Sequence, residues 1–227
     1  MSLGRRVAAE ALGTALLVAA VIGSGIMGQR LAGPDVALAL LANTIATGGA
    51  LVALILTFGP LSGAHFNPIV TAWAAASRAL SGRDAAAYVA AQVAGAIAGA
   101  VLANAMFDLP AVTWATTARG TTALLVSEAV ATFGLLGVII STSRRHPAMT
   151  PFAVAAYIVA AYWFTASTSF ANPAVTIGRA VSDTFAGIRP LDVPAFIAAQ
   201  LVGGALAGVC FRWLVPARDP DPLRAAD

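Results

Sequence analysis

Two similar phrases occur in the chain: Phe66-Asn67-Pro68-Ile69-Val70-Thr71 and Ala171-Asn172-Pro173-Ala174-Val175-Thr176. Asparagine is a favourable N-cap, and proline suits the first helical position because its missing N–H would have no partner there. Each phrase therefore predicts the start of a helix, although a single Asn-Pro pair is more often a turn. Because both phrases continue into Val-Thr and lie 105 residues apart, they favour an internal duplication with one short helix in each copy.

The composition indicates an integral membrane protein. Of the 227 residues, 59% are hydrophobic and 10% are charged, and the mean hydropathy is +0.84. Soluble domains carry about a quarter charged residues, so this chain lacks the polar surface that water requires. The basic residues are all arginines between apolar segments, which fits membrane orientation better than a nucleic-acid interface. We therefore predict the lipid bilayer as a partner and no nucleic-acid partner.

Six apolar segments are long enough to cross the hydrocarbon core, which takes about 20 residues: 7–28, 36–58, 85–106, 122–142, 150–168 and 191–215. The two Asn-Pro stretches, near 66–77 and 172–181, are apolar but only about ten residues long, so each can enter the membrane only halfway. Their non-helical backbone then needs protein or a water-filled cavity for its hydrogen bonds. The first segment follows two arginines, as a signal peptide does, but its length and Glu10 favour a retained helix.

The order of these segments predicts a duplicated and inverted all-α membrane protein. Three spans with a half-helix between the second and third occur twice, and an odd number of spans inverts the second copy in the membrane. Matching polar residues support the duplication, because Glu10 corresponds to Glu128 and Gln92 to Gln200. We predict a single transmembrane domain, residues 1–227, with repeats at about 5–107 and 121–215. The glycine pairs 95/99 and 204/208 predict close approach of the third and sixth spans to neighbours.

The placement of the arginines predicts that both termini face the cytoplasm. In that orientation nine arginines are cytoplasmic and four are external, which is the bias typical of membrane proteins. The cytoplasmic group is Arg5, Arg6, Arg78, Arg83, Arg144, Arg145, Arg212, Arg218 and Arg224, and the external group is Arg30, Arg119, Arg179 and Arg189. The segment after Pro216 is expected to be a solvated tail. The single Cys210 excludes a disulfide framework.

The two half-helices are predicted to meet near the membrane midplane with their N-termini facing each other. Each N-terminus carries about half a positive charge, so the meeting point disfavours protons and other cations. If the side-chain oxygens of Asn67 and Asn172 cap the half-helices, their NH₂ groups face the lumen as donors for a solute oxygen. No nucleophile–base pair or metal-ligand cluster is visible in the sequence, so we predict no enzymatic activity, no cofactor and no metal.

The phrases and their surroundings resemble the aquaporin/aquaglyceroporin (major intrinsic protein) family. The resemblance rests on Ser62-Gly63-Ala64-His65-Phe66-Asn67-Pro68, then Val70-Thr71, and on Asn172-Pro173-Ala174, and it extends from Glu10 to Gln200. It implies a right-handed bundle of six transmembrane helices and two re-entrant half-helices, with one pore per subunit, assembled as a homotetramer in the inner (plasma) membrane. It also implies passive flow of water or small neutral solutes.

The resemblance also implies roles for residues counted without gaps from each asparagine. The constriction would be formed by Asn67, Pro68, Ile69, Asn172, Pro173 and Ala174. Backbone carbonyls would line the pore at Gly63, Ala64, His65, Thr168, Ser169 and Phe170. The selectivity filter would fall on Thr47, Ala160, Ser169 and Val175. The re-entrant loops would be supported by Glu10, Glu128, Gln92 and Gln200, with a proton relay as the alternative for the two carboxylates.

The implied filter departs from the family pattern. Val175 stands where the family has arginine, and Thr47 and Ala160 stand where water-selective members have an aromatic residue and a histidine. Such a filter should be wide, uncharged and rather apolar, because it lacks the donors and the fixed cation that arginine supplies. The expected cargo is glycerol and other polyols, urea, or metalloid acids such as arsenite and its methylated forms, together with water. An Arg-free filter also resembles bacterial aquaglyceroporins linked to arsenic handling.

Several residues have two interpretations. Arg179 could replace the missing filter arginine, but snorkelling to the outer surface is the favoured prediction. His65 could be a pH gate, but a vestibule position that contributes mainly its backbone carbonyl is favoured. Ile69 stands where alanine is usual, so it is expected to narrow the midplane or give it an apolar lining.

An ion- or proton-coupled secondary transporter with discontinuous helices is the alternative to a passive channel.

Overall fold

The structure is a computed structural model that describes residues 1–216. These residues form eight α-helices and no strands. Six helices are long and apolar enough to cross a membrane, two of them with the short 3₁₀ turns Pro147–Met149 and Pro190–Asp192 at their start. They are α1 (Leu3–Ala32), α2 (Val36–Ser62), α4 (Gly82–Met106), α5 (Thr122–Arg145), α6 (Thr150–Phe164) and α8 (Val193–Leu214). The two short helices are α3 (Pro68–Ala76) and α7 (Pro173–Arg179).

The predicted all-α architecture of six spans and two half-helices is therefore confirmed, and the spans lie close to their predicted bounds. Arg218, Arg224 and the predicted solvated tail after Pro216 lie outside the described residues. Short polar side chains begin several helices, as expected for N-caps. Asp35 accepts a hydrogen bond from the backbone N of Leu38 at the start of α2, and Ser81 accepts one from Asp84 at the start of α4.

The two halves of the bundle pack in the same way. Helix α1 contacts α2 and α4, and in the second half α5 contacts α6 and α8. Glycines allow the closest approaches: a Cβ on Gly99 would lie 2.2 Å from the carbonyl oxygen of Ala15, and one on Gly203 would lie 2.1 Å from that of Ala129. The predicted pair at 204 and 208 instead faces α3, where Cβ atoms would meet Ile69 and Trp73.

The re-entrant loops before the half-helices share an uncommon backbone conformation. Ala64 and Ser169, each three residues before an asparagine, have φ values of 49° and 51°. Phe66 and Ala171, each one residue before an asparagine, both have φ of 48°. Non-glycine residues rarely adopt this left-handed region, and such strain persists only where surrounding contacts impose it. The contacts that impose it come from carboxylates on α1 and α5.

Candidate channel and selectivity filter

The half-helices α3 and α7 meet through their asparagine caps. The Oδ1 atom of Asn67 accepts a hydrogen bond from the backbone N of Ile69 (2.9 Å), and that of Asn172 accepts one from Ala174 (3.0 Å). The Nδ2 atom of Asn67 donates to the carbonyl of Ala171 (2.8 Å), and the Nδ2 atom of Asn172 donates to the carbonyl of Phe66 (2.7 Å). Each asparagine therefore caps its own helix and ties it to the loop of the other half.

Buried carboxylates hold the two re-entrant loops. Glu10 accepts hydrogen bonds from the backbone N of His65 (2.9 Å) and Phe66 (2.7 Å) and from the hydroxyl of Ser62 (2.6 Å). Its side chain has no solvent exposure. Because each carboxylate oxygen carries at least one donor, the loop N–H groups are satisfied without water.

The second loop is held by the same arrangement. Glu128 accepts from the backbone N of Phe170 (2.8 Å) and Ala171 (2.9 Å) and from the Nε2 atom of Gln200 (2.7 Å). The same Gln200 nitrogen donates to Thr176 (2.9 Å). In the first half, Nε2 of Gln92 donates to Glu10 (2.8 Å) and Thr71 (2.9 Å) in the equivalent way. These contacts favour structural support over a proton relay.

A cavity runs through the middle of the bundle, past the point where the half-helices meet. Thr150, Val154, Ile158 and Tyr162 line it from α6, each four residues after the last, so that they cover about 18 Å of helix length. Its volume is about 120 Å³. A water molecule needs roughly 10–15 Å³ of cavity volume on the same scale, so the cavity can hold a file of water molecules or a small solute. Hereafter the end near Tyr162 is called the filter end.

The residues that line the cavity include both polar and apolar groups. The polar groups include those of Asn67, Asn172 and the loop residues Gly63, Ala64, His65, Ser169 and Phe170. Among the residues described, no hydrogen-bond partner exists for the buried hydroxyls of Ser169 and Thr150, which both line the cavity. The apolar groups come from Leu17, Val21, Leu51, Ile55, Val70, Leu135, Ile139, Val154, Ile158 and Val175. Thr168, which was predicted to line the pore, does not belong to this wall.

The filter prediction is wrong at Ala160. Thr47, Ser169 and Val175 line the cavity, but Ala160 is exposed on the outside of α6. It is two residues from both Ile158 and Tyr162, so it points to the opposite side of the helix. On α6 it is Tyr162 that lines the cavity, and its hydroxyl lies 3.3 Å from that of Thr47.

Ile69 does not line the cavity either. Its side chain is 4% exposed and packs against Gly204 of α8, where a Cβ would lie 2.7 Å from its Cγ2 atom. The glycine makes room for this larger residue, so Ile69 fills the space between α3 and α8 instead of narrowing the midplane. The next residue, Val70, faces the cavity. Pro68 and Pro173 are the first residues of α3 and α7, and Ala174 is fully buried.

The position of Arg179 also differs from the prediction. It was expected to reach the outer surface, but its side chain is 3% exposed and lines the cavity. Its Nε atom donates to the carbonyl of Ala186, and its Cζ atom lies 3.3 Å from the centroid of the Phe170 ring. The cavity therefore has a guanidinium in its wall, although Val175 occupies the position where the family has arginine. The expectation of an uncharged filter is wrong for this reason.

A second arginine lies close by, in the loop between α4 and α5. The Cζ atom of Arg119 is 5.0 Å from the same Phe170 centroid, and its guanidinium donates to the carbonyls of Gly187 (2.9 Å) and Ser167 (3.3 Å). Burial lowers the pKa of Arg119 from its ordinary value, and nearby Glu128 opposes this shift. Arginine titrates so far above neutrality that the guanidinium keeps its charge.

His65 lies in the cavity wall of the first re-entrant loop. Its Nδ1 atom is 3.1 Å from the hydroxyl of Thr71, and its ring packs edge-on against Tyr88 with centroids 5.4 Å apart. These contacts hold the imidazole against Thr71 and Tyr88, so it does not rotate freely into the cavity. His146 is exposed at the end of α5 and lies away from the cavity.

Six apolar spans, two half-helices that meet end to end, and a cavity through their meeting point define a membrane channel. A sequence model of the family described as "Major intrinsic protein" matches residues 1–161. The chain is 57% identical over 217 residues to aquaglyceroporin AqpS of Rhizobium meliloti (strain 1021), covering 95% of this chain and 93% of that one. The chain belongs to the major intrinsic protein family. The predicted family is thus confirmed, and the protein is a channel rather than an enzyme.

Two further similarities agree with this assignment. Aquaporin Z of Bradyrhizobium diazoefficiens is 31% identical over 230 residues, covering 92% of this chain and 93% of that one. The X-ray structure of the aquaglyceroporin from Plasmodium falciparum superposes with a TM-score of 0.69 at 17% identity, covering 95% of this chain and 98% of that one. At this identity the structural similarity establishes the fold alone. Ser169, Val175 and Arg179 lie beyond the part that the family model matches.

Proposed function

We propose that the protein is an aquaglyceroporin-like passive channel for small uncharged solutes. The proposed cargo is glycerol and other polyols, urea, and metalloid acids such as arsenite and methylated arsenicals, with water passing as well. The observation that carries the proposal is the set of residues that line the filter end of the cavity. There Val175 and Ser169 both line the wall, and the Ser169 hydroxyl has no hydrogen-bond partner within residues 1–216, so the wall carries no charge at position 175 and is less filled than it would be with arginine.

The mixed lining of the cavity supports a polyol cargo. A polyol presents hydroxyl groups along one side and C–H groups along the other. Polar lining residues, among them Asn67, Asn172 and Ser169, offer donors and acceptors, and apolar lining residues, among them Leu51 and Ile55, accept the C–H groups without desolvating a polar atom. The 57% identity to a protein named an aquaglyceroporin supports the same assignment.

We also propose how the channel lies in the cell. The whole chain, residues 1–227, forms one channel domain with repeats at about 5–107 and 121–215, and it assembles as a homotetramer in the inner (plasma) membrane. The excess of arginines on one side supports a cytoplasmic position for both termini. Native mass spectrometry and labelling of terminal tags from each side test these points. A monomer, or a tag labelled only from outside the cell, would contradict them.

Solute flux into liposomes that contain the purified protein tests the proposed function. Stopped-flow light scattering is expected to show fluxes of glycerol, urea, arsenite and water above those of protein-free liposomes. Because a channel has no coupled step, each flux should rise linearly with its gradient and stay unchanged by proton or sodium gradients. Flux of water alone would overturn the proposed cargo. Saturable flux that follows an ion gradient would instead indicate the secondary transporter.

A further inference from the structure

The contacts of Arg179 leave part of its guanidinium unused. Its Nε atom donates to Ala186 and its plane lies against Phe170. Within residues 1–216 neither of its terminal nitrogens has a hydrogen-bond partner, and the residue lines the cavity. A guanidinium has five N–H groups, so the four on its terminal nitrogens have no protein acceptor among these residues.

The position of Arg179 on α7 directs it toward the filter. It follows Val175 by four residues, so the two side chains lie on the same face of the half-helix. Side chains on a helix lean toward its N-terminal end and cover the preceding turn. The guanidinium of Arg179 therefore leans back over the turn of Val175, and it reaches the filter from one turn farther along the helix.

No ion pair in the described part of the chain balances the positive charge at this end of the cavity, although the carboxyl group of Glu128 lies nearby. Arg119 and Arg179 both lie against the ring of Phe170. The ion pairs found in residues 1–216 are Arg6–Asp84 and Arg189–Asp192, so neither of the two stacked arginines is paired with a carboxylate. In a site with little water, an unpaired charge acts strongly on a passing ion.

We propose that Arg179 supplies the fixed cation and the solute hydrogen-bond donor of this filter, in place of the residue at position 175. The inference rests on the proposed channel function. Val175 leaves the turn next to the half-helix junction wide, and the guanidinium donates to solute oxygens from one side of the path while it repels cations. Phe170 acts as a positioning residue, because its ring holds the guanidinium against the wall.

The test compares ion leak and solute flux in liposomes for the full-length protein and for Arg179→Met. Leak of protons and sodium is expected to rise at least about tenfold, because the barrier to cations loses a nearby unit charge. Glycerol flux should fall relative to that of 1,3-propanediol, since the additional glycerol oxygen loses its donor. Arg30→Met is the matched control. Its guanidinium has similar contacts with Phe107 but lies exposed at the end of α1, so neither measurement should change.

Three further variants keep the test decisive. In Val175→Arg/Arg179→Val the guanidinium moves by one turn, so cation leak should return to the parent level. If Arg179→Met does not elute as a folded oligomer, the comparison of Arg179→Gln with Arg179→Lys replaces it, and only the glutamine variant should leak. Unchanged cation leak in the neutral variants would overturn the inference while glycerol still passes through the parent protein. Absence of solute flux in the parent would instead overturn the proposed function.

Discussion

Replacing Glu128 with leucine is expected to prevent the protein from forming a stable channel. The leucine leaves three buried N–H groups without their acceptor: the backbone N–H groups of Phe170 and Ala171, and one N–H of the Gln200 Nε2 atom, which keeps its bond to Thr176. Each unpaired buried donor costs about 1–3 kcal/mol, so the sum approaches the roughly 5–15 kcal/mol that stabilises a typical protein. We expect the midpoint of thermal unfolding in detergent to fall by on the order of 10 °C or more.

Fluorescence-monitored unfolding and size-exclusion chromatography of the purified variant measure this effect. Val126→Ala is the control, because Val126 is exposed on the same helix and should change the midpoint little. Glu128→Gln keeps one acceptor oxygen and should have an intermediate midpoint. A Glu128→Leu variant with parental stability and flux would contradict the loop-supporting role. A Glu128→Gln variant with parental stability but altered proton-dependent flux would favour the proton relay.

Replacing Val175 with arginine is expected to reduce glycerol and urea flux much more than water flux. The larger side chain takes up cavity space that Val175 leaves open, and its charge lies one turn from that of Arg179, so the two guanidinium groups repel each other. Glycerol flux should fall roughly tenfold or more, the scale on which a pocket discriminates by shape. Stopped-flow light scattering on matched amounts of incorporated protein measures the ratio.

Val175→Met separates volume from charge in this experiment. Methionine adds length without a guanidinium, so it should reduce glycerol flux less than arginine does and leave water flux nearly unchanged. Equal flux ratios in the parent protein and Val175→Arg would show that Val175 is not part of the filter. A fall in water flux as large as that in glycerol flux would show that arginine blocks the channel without discrimination.

The architecture could be predicted from the sequence because each half carries the same polar landmarks. An asparagine before a proline has a defined local role as a helix cap, and that role depends only on adjacent residues. A carboxylate in an apolar span needs donors, and the re-entrant loops have N–H groups without helical partners. Glu10 and Glu128 therefore lie where local chemistry requires them, together with the neighbouring glutamines.

The filter could be predicted only in part, because it depends on the length and turn of the segment between α6 and α7. Counting backward without gaps from Asn172 gives Ala160, whereas the cavity is lined by Tyr162. A shift of two residues reverses the face of a helix, so a small change in the connecting turn changes the side chain presented.

The prediction for Arg179 was wrong for a different reason. A long cation was expected to reach water, but the ring of Phe170 and the carbonyl of Ala186 hold it in the protein. Both groups lie in loops whose conformation could not be predicted from the sequence. The prediction for Ile69 was wrong because Gly204, which is 135 residues away along the chain, makes the space that this side chain fills. Loops close in the sequence thus place Arg179, whereas a helix distant in the sequence makes room for Ile69.

Solutes are expected to pass through the cavity between the half-helices, and blocking this path at an introduced cysteine tests that expectation. Ser169→Cys and Ala160→Cys are each made in a Cys210→Ala background, which removes the only native thiol. A small thiol reagent should abolish glycerol flux through Ser169→Cys, because Ser169 lines the cavity, and leave Ala160→Cys unaffected, because Ala160 lies on the outside of α6. Block of Ala160→Cys with full flux through modified Ser169→Cys would contradict this account of the channel.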